Sequence, residues 1–380
     1  MTVTAARSSV LPTYVRQDVT FVSGDGSWLV DADGRRYLDL VAGIAVVGLG
    51  HCHGAPLGAA RAQLERLWHV SNLYWTEPMA ALAELLSDRF GEAQAFFCNS
   101  GAEAVEAGLK YARKATGKAG VIALEGSFHG RTLGALSVTG QPAKRAAFEP
   151  LVPEVRFARL DDPWSLQAAA GPDTGCILLE PIQGEGGIHP VGDELLAAAR
   201  GLADKLGAVL LFDEVQTGIG RTGTFFCFEQ FGVRPDAVAV AKGLANGLPV
   251  GCLLVADDAP RGFEPGDHAS TFGGNPVVCA AACAVCEAID DELLAQVREN
   301  GFRLARALEQ LAAVSEVRGL GLLLGAEVER PAADVVADCL ERGLLVGTAG
   351  ERTLRVSPPL TITTDELDHG LEILEDVLVA

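Results

Sequence analysis

The chain has 380 residues, 49% hydrophobic but only 6% aromatic, with 44 glycines and a formal charge of −20. That length suits a large domain plus a smaller one, and the composition is that of a folded α/β enzyme, not a disordered or fibrous chain. The acidic balance excludes the nucleic-acid backbone and anionic lipid as partners, since both need basic patches, and leaves small-molecule chemistry or protein partners.

No apolar run approaches the roughly 18–20 residues of a membrane helix. The opening MTVTAARSSVLPTYVRQ lacks the apolar core of a signal peptide, so a soluble, cytoplasmic protein is expected. The nine cysteines have no regular spacing and sit mostly among apolar residues, which predicts reduced, buried thiols.

Taken in chain order, residues 15–42 read as a turn-rich hairpin, with D-G and D-x-D-G turns between short β-prone runs. His51-Cys52-His53 has metal-like letters but no matching set elsewhere, which favours a structural role. AQAFFCN (93–99) reads as a strand and residues 100–117 as a helix. GVIALEG (120–126) and GCILLEPI (175–182) are strand-like, 193–207 is a helix with a glycine stop, and AVLLFDE (208–214) and AVAVAKG (237–243) are strands. Near-continuous apolar strands separated by helices predict a mostly parallel sheet covered on both faces. From about 276 a long helix is expected, then strands in EVRGLGLLLGAEV and LLVGTAGERTLRVSPPL, and a final helix near the C-terminus. Cys279, Cys283 and Cys286 have the C-x3-C-x2-C spacing of an iron–sulfur site. They fall at i, i+4 and i+7 of that helix, so core side chains are the favoured reading. The expected organisation is an N-terminal segment (1–49) packing on the small domain, a large domain (50–275) and a small α+β domain (276–380).

Ligands of parallel sheets bind beyond the carboxyl ends of the strands. After the strand at 93–99, Ser100 and Glu103 form a capping box, and the helix they start would point its free N–H groups and dipole into the crevice, where a phosphate fits. After 208–212 comes Asp213, a carboxylate that must be buried and therefore partnered. Beyond 120–125 comes SFHGRT, with an aromatic, Phe128, near Arg131. Lys242 ends the strand 237–241, a costly place for an ammonium unless it is paired, neutral or used covalently. A phosphate cup, a buried carboxylate, a stacking aromatic and a buried lysine are what pyridoxal 5′-phosphate requires. The lysine forms a Schiff base, and the carboxylate keeps the pyridine nitrogen protonated.

From about Thr13 to the C-terminus the chain resembles the class III (ω-) aminotransferases of pyridoxal-phosphate fold type I. FDEVQTGIGRTG (212–223) and the lysine of AVAVAKGLANGLPVG carry the likeness most specifically. AGIAVVGLGHCHGAP, SNLYWTEP, FCNSGAEAVEAGLK, SFHGRTLGALS, EPIQGEGG, STFGGNPVVCAAA and LRVSPPL add to it. The AGIAV, SNLY and SFHGRT wording is most similar to acetylornithine aminotransferases of arginine biosynthesis. Gly54 stands where that pattern usually has proline, and Val105 where it often has asparagine; both are expected near the site's edge.

The resemblance implies a fold-type-I large domain with a mostly parallel, seven-stranded-type sheet plus a smaller α+β domain. It implies roles by position. Lys242 carries the cofactor and moves the proton, and Asp213 pairs with the pyridine nitrogen. Glu214 belongs to the cofactor-binding set, and Gln216 approaches the ring hydroxyl. Val215 and Phe128 pack on the two ring faces, and Ser100, Gly101 and Ala102 hold the phosphate. Thr271 reaches the phosphate of a partner subunit, implying a homodimer. Arg131 holds the distal carboxylate of the substrate and Arg355 the α-carboxylate of 2-oxoglutarate. Glu185 masks Arg355 when the ω-amino substrate is bound, and Tyr14 and Ser270 line the substrate end. The expected reaction is ping-pong transfer of the δ-amino group of N2-acetyl-L-ornithine to 2-oxoglutarate. The rivals are sister transaminases acting on ornithine, succinylornithine, acetyl-lysine or 4-aminobutyrate, and a glutamate-semialdehyde aminomutase. An aminomutase has no need of Arg355. A nicotinamide dehydrogenase would want G-x-G-x-x-G after its first strand, which NSGAE does not supply.

Overall fold

The structure, a computed structural model, describes residues 9–379. Its centre is a seven-stranded sheet in the order Ala93–Cys98, Gly251–Ala256, Ala237–Val240, Val209–Asp213, Thr174–Leu179, Gly120–Leu124, Val155–Ala158. Only Gly251–Ala256 runs against the rest. Two strands escaped the sequence reading: this reversed one, and the edge strand Val155–Ala158, which is short and half-buried.

The four central apolar runs are buried on both faces. Alternation divides their side chains between two cores. Leu210, Phe212, Val238 and Val240 face the larger core, with Leu82, Leu86 and Leu196 from the helices Glu77–Phe90 and Asp193–Leu206. Val209, Leu211, Ala237 and Ala239 face the helix Gly101–Thr116 on the other side. That helix lies so close to the sheet that a Cβ on Gly108 would stand 2.5 Å from Leu211 Cδ2. Val105, expected at the site's edge, is instead wholly buried in this second core.

The N-terminal hairpin is present as Phe21–Asp25, Trp28–Asp31 and Arg36–Asp39, and the last of these pairs in parallel with Leu344–Leu345. The N-terminal strands thus share a sheet with a C-terminal one. The C-terminal part also holds an antiparallel sheet, in the order Val314–Leu320, Leu323–Val328, Thr353–Val356, Gly347–Thr348, with the helices Ala332–Glu341 and Thr364–Val379. The long helix expected from 276 is two helices, Pro276–Ala288 and Asp291–Glu309. Asp290 starts the second by accepting the Leu293 N–H at 2.8 Å, as an N-cap does. Cys279, Cys283 and Cys286 lie on the first helix, and burial pushes their thiols up to about 12, 11 and 12.

Candidate active site

The residues that follow the parallel strands carry the candidate site. The helix beginning at Gly101 is capped by Ser100, whose Oγ accepts the Glu103 N–H at 3.2 Å. The capping box is longer than expected. Glu103 reaches back past Ser100 to accept the Asn99 N–H at 2.9 Å, besides the Ser100 hydroxyl. The N–H groups of Gly101 and Ala102 donate to no described residue and remain available at a positive helix end. Gly101 is required there, since a Cβ would lie 2.6 Å from Val215 Cγ1.

Asp213 closes its strand buried, 5% exposed. Oδ1 accepts the Val215 N–H at 3.0 Å, and Oδ2 lies 2.8 Å from His129 Nδ1. His129 is itself buried, and its Nε2 has no hydrogen-bond partner among the described residues. A third group completes the cluster. Glu180 Oε2 accepts the Phe128 N–H at 2.9 Å and Oε1 the Gly184 N–H at 3.1 Å. Burial pushes Glu180 up to about 7, with the charge of Asp213 adding and His129 opposing. The sequence reading assigned no role to His129 or Glu180. Glu180 carries the signal that marked Asp213, a carboxylate directly after an apolar strand, and the same rule would have found it.

Lys242 follows the strand Ala237–Val240 at the start of a short turn, with φ +41, a conformation rare for a side-chain-bearing residue. It is half-buried, and its ammonium forms no hydrogen bond or ion pair among the described residues. Burial pushes its pKa down to about 8; Glu185 works against that shift and Arg355 with it. The turn is tied down from the N-terminal side. Asn246 accepts the Leu49 N–H at 2.8 Å and donates to the Gly50 carbonyl at 2.9 Å. Just upstream, Ala42, Gly43, Ile44 and Ala45 all have left-handed φ. Asp39 holds this strained run by accepting the Val41 and Ala42 N–H groups, and His51 lies 2.8 Å from its other oxygen.

Arg355 is 4% exposed and reaches Glu185 Oε1, the Gly184 carbonyl at 3.5 Å and Gln216 Oε1 at 3.4 Å. Burial opposes ionisation of Glu185, but Arg355, then Lys242 and Lys144, hold it below the ordinary carboxylate range. Arg131 is exposed, its guanidinium 5.6 Å from the Phe128 ring centroid, and the ammonium of Lys144 lies 4.7 Å from the same centroid.

Some expected residues are not brought in. Glu214 turns away: its carboxylate accepts the Cys227 and Phe228 N–H groups at 2.6 and 2.8 Å, and burial raises it to about 8. Tyr14 is exposed, with the Arg16 guanidinium 5.6 Å from its ring. Ser270 is tied to the capping box, its Oγ accepting from the Asn99 amide at 3.2 Å, and with Thr271 it lines a groove of about 1030 Å³ beside Asn72, Leu73, Trp75 and Met79. Among the described residues no group of histidine, cysteine and carboxylate side chains could hold a metal ion, and no helix is long and apolar enough to cross a membrane.

The residues present fit pyridoxal phosphate. Free N–H groups at a helix start suit its phosphate, a buried carboxylate oriented by His129 suits its ring nitrogen, and an unpartnered lysine of lowered pKa suits its aldehyde.

The family profile described as "Aminotransferase class-III" matches residues 12–378. The chain is 45% identical over 370 residues to an acetylornithine aminotransferase of Archaeoglobus fulgidus, covering 97% of this chain and 98% of that one. It is 47% identical over 375 residues to an acetylornithine aminotransferase of Methanopyrus kandleri, covering 97% and 96%. Among solved structures it is similar to the ornithine aminotransferase of Toxoplasma gondii, with a TM-score of 0.93 at 30% identity, covering 98% of this chain and 92% of that one. It is also similar to the N-acetylornithine aminotransferase of Stenotrophomonas maltophilia, with a TM-score of 0.83 at 35% identity, covering 96% and 97%. With the crevice built from its own strand ends and this match along nearly its whole length, the chain belongs to the class-III aminotransferases.

Proposed function

We propose that this enzyme transfers the δ-amino group of N2-acetyl-L-ornithine to 2-oxoglutarate in two half-reactions, as an acetylornithine aminotransferase of arginine biosynthesis. One observation carries the two-substrate reading: a buried arginine, Arg355, paired with a glutamate, Glu185. A buried arginine suits a substrate carboxylate, and bidentate pairing positions it. Each half-reaction brings a carboxylate, and Arg131 and Arg355 supply one cation at each end of the crevice.

When bound, pyridoxal phosphate supplies the electron sink that makes the substrate C–H acidic. The chain does the rest. Gly101, Ala102 and Ser100 hold the phosphate. Asp213, held by His129 and the Val215 N–H, keeps a negative charge beside the ring nitrogen. Phe128 and Val215 enclose the ring, and Gln216 serves its hydroxyl. Glu214 acts from behind, fixing the 227–228 backbone against the Asp213 strand. Lys242, with its pKa near 8, takes the proton from the δ-carbon of the donor and returns it across the crevice. Glu185 neutralises Arg355 while acetylornithine occupies the site, then yields it to the α-carboxylate of 2-oxoglutarate.

The active assembly is a homodimer, with Thr271 reaching the partner's phosphate and Ser270 and Tyr14 at the substrate end. Supporting this, Leu73 and Trp75 are exposed in the groove that Thr271 lines, and Trp68 and Phe272 are exposed in a second one. The proposed division is a large domain (50–275), a small domain (276–380) and an N-terminal segment (1–49). The nine cysteines are free, consistent with the reducing cytoplasm. Identities of 45–47% to acetylornithine enzymes favour that substrate over ornithine, which the similar Toxoplasma structure's name carries.

The test is the colour of the purified, cofactor-loaded enzyme. N-acetylornithine alone should bleach the yellow band, and 2-oxoglutarate should restore it. A yellow enzyme that ornithine bleaches and acetylornithine does not would transfer the assignment to the ornithine class.

A further inference from the structure

We propose that Arg318 is the positioning residue that holds the Glu185 loop over Arg355 and thereby sets the balance between the two half-reactions. The inference rests on the reading of Glu185 as the mask of Arg355.

Glu185 lies in a tight loop between Gln183 and His189, which pair antiparallel. The loop is fastened on its far side. Arg318 donates from Nε to the Gly187 carbonyl at 3.0 Å. The rest of its guanidinium is committed to Glu316 at 2.6 Å, Glu327 at 2.8 Å and Thr353 Oγ1 at 3.1 Å. Thr353 in turn donates to Glu327 at 2.8 Å, which ties the acceptors of the clamp together. The side chain of Arg318 is only 9% exposed.

Sheet register explains why this arginine controls that glutamate. Arg318 lies opposite Gly325, and Gly325 opposite Arg355. Residues opposite one another share a face, so both arginines project toward the loop from one row. Between them Gly325 leaves a notch. A Cβ there would stand 2.9 Å from Ile188 Cβ, so Ile188 seats where a side chain would otherwise be. Ile188 is fully buried with φ +54, a strained conformation for a β-branched residue that persists only if its surroundings enforce it. Arg318 and the Ile188 plug therefore fix the loop after Glu185, and close packing at Gly184 and Gly186, where a Cβ would stand 2.4 Å from Gln216 Oε1 and 2.6 Å from the Gly126 carbonyl, leaves movement to the Glu185 side chain. With the base fixed, Glu185 returns to Arg355 each cycle. With it loosened, Glu185 leaves more readily and Arg355 accepts a dicarboxylate more readily.

The experiment uses the cofactor-loaded enzyme and follows each half-reaction separately, with N-acetylornithine alone or with 2-oxoglutarate on the aminated enzyme. R318M should raise the ratio of kcat/KM for 2-oxoglutarate to that for acetylornithine by about fivefold or more. Glutarate should bind R318M more tightly by calorimetry. In the E185A background, R318M should leave the ratio unmoved, since the gate it biases is gone. E327Q, which removes one support of Arg318, should shift the ratio the same way but less, and it serves if R318M fails to fold. Equal changes in both half-reactions, an unchanged ratio, or a shift that persists beside E185A would overturn the assignment of Arg318. An unchanged ratio in E185A alone would remove the masking reading, and this proposal with it.

Discussion

Lys242 is held in the fold at a cost, and replacing it should stabilise the cofactor-free protein while abolishing turnover. Its pKa falls from 10.5 to about 8 through burial, and its ammonium has no ion-pair partner among the described residues. At about 1.4 kcal/mol per unit, that drop corresponds to about 3 kcal/mol against the charged form. Because the side chain is partly exposed, water screens part of this, and about 1–2 kcal/mol is the working figure. Lys242→Met keeps the length and removes the charge, so the variant should be more stable than the parent by about that much at pH 7. The pH dependence separates this cause from others. Below about pH 8 the native and unfolded chains both carry the ammonium, and the cost is constant. Between about 8 and 10.5 the unfolded chain still binds the proton and the native state has shed it, so parental stability rises with pH and levels off above 10.5. The variant lacks that rise. Urea unfolding of both cofactor-free proteins from pH 7 to 11 measures it. A variant no more stable than the parent at pH 7, or parallel profiles across the interval, would refute an uncompensated buried ammonium.

Arg355→Ala should lower kcat/KM of the 2-oxoglutarate half-reaction by about 100-fold while changing the acetylornithine half-reaction by less than about tenfold; rapid-mixing absorbance of each half measures it. Asp213→Asn keeps an acceptor for the Val215 N–H but loses the charge. Turnover should fall by about 100-fold or more, with the protein still yellow after reconstitution. Gly101→Ala should weaken cofactor binding, because its Cβ would press on Val215 at 2.6 Å, an overpacking of about 1–3 kcal/mol. Adding Val215→Ala should recover most of that loss in an equilibrium titration with pyridoxal phosphate.

Much of this site could be read along the chain because it is built from strand ends. Apolar runs predict buried strands, and a polar residue directly after one must lie at the crevice. That rule picks out Asp213 and Lys242, and Ser100 and Glu103 announce the helix that follows. It applies equally to Glu180, which directly follows the strand Thr174–Leu179. Glu214 shows its limit: two adjacent carboxylates stand at the end of one strand, but alternation sends Asp213 to His129 and Glu214 to the 227–228 backbone. The long helix from 276 failed for a local reason, since Ile289 and Asp290 interrupt an otherwise helical pattern.

Pairings were decided elsewhere. His129 meets Asp213, and Glu185 meets Arg355, across stretches of chain whose spacing carries no record of the contact. Strand order likewise belongs to the tertiary structure: the reversed strand Gly251–Ala256 and the pairing of Arg36–Asp39 with Leu344–Leu345 follow from which apolar faces can be covered together. The chain by itself determined which residues are buried and which chemical groups stand at strand ends, because burial and periodicity are local consequences of side-chain chemistry. Only the folded packing decided which of those groups meet, because a buried charge is satisfied by whatever partner the converging elements bring within reach.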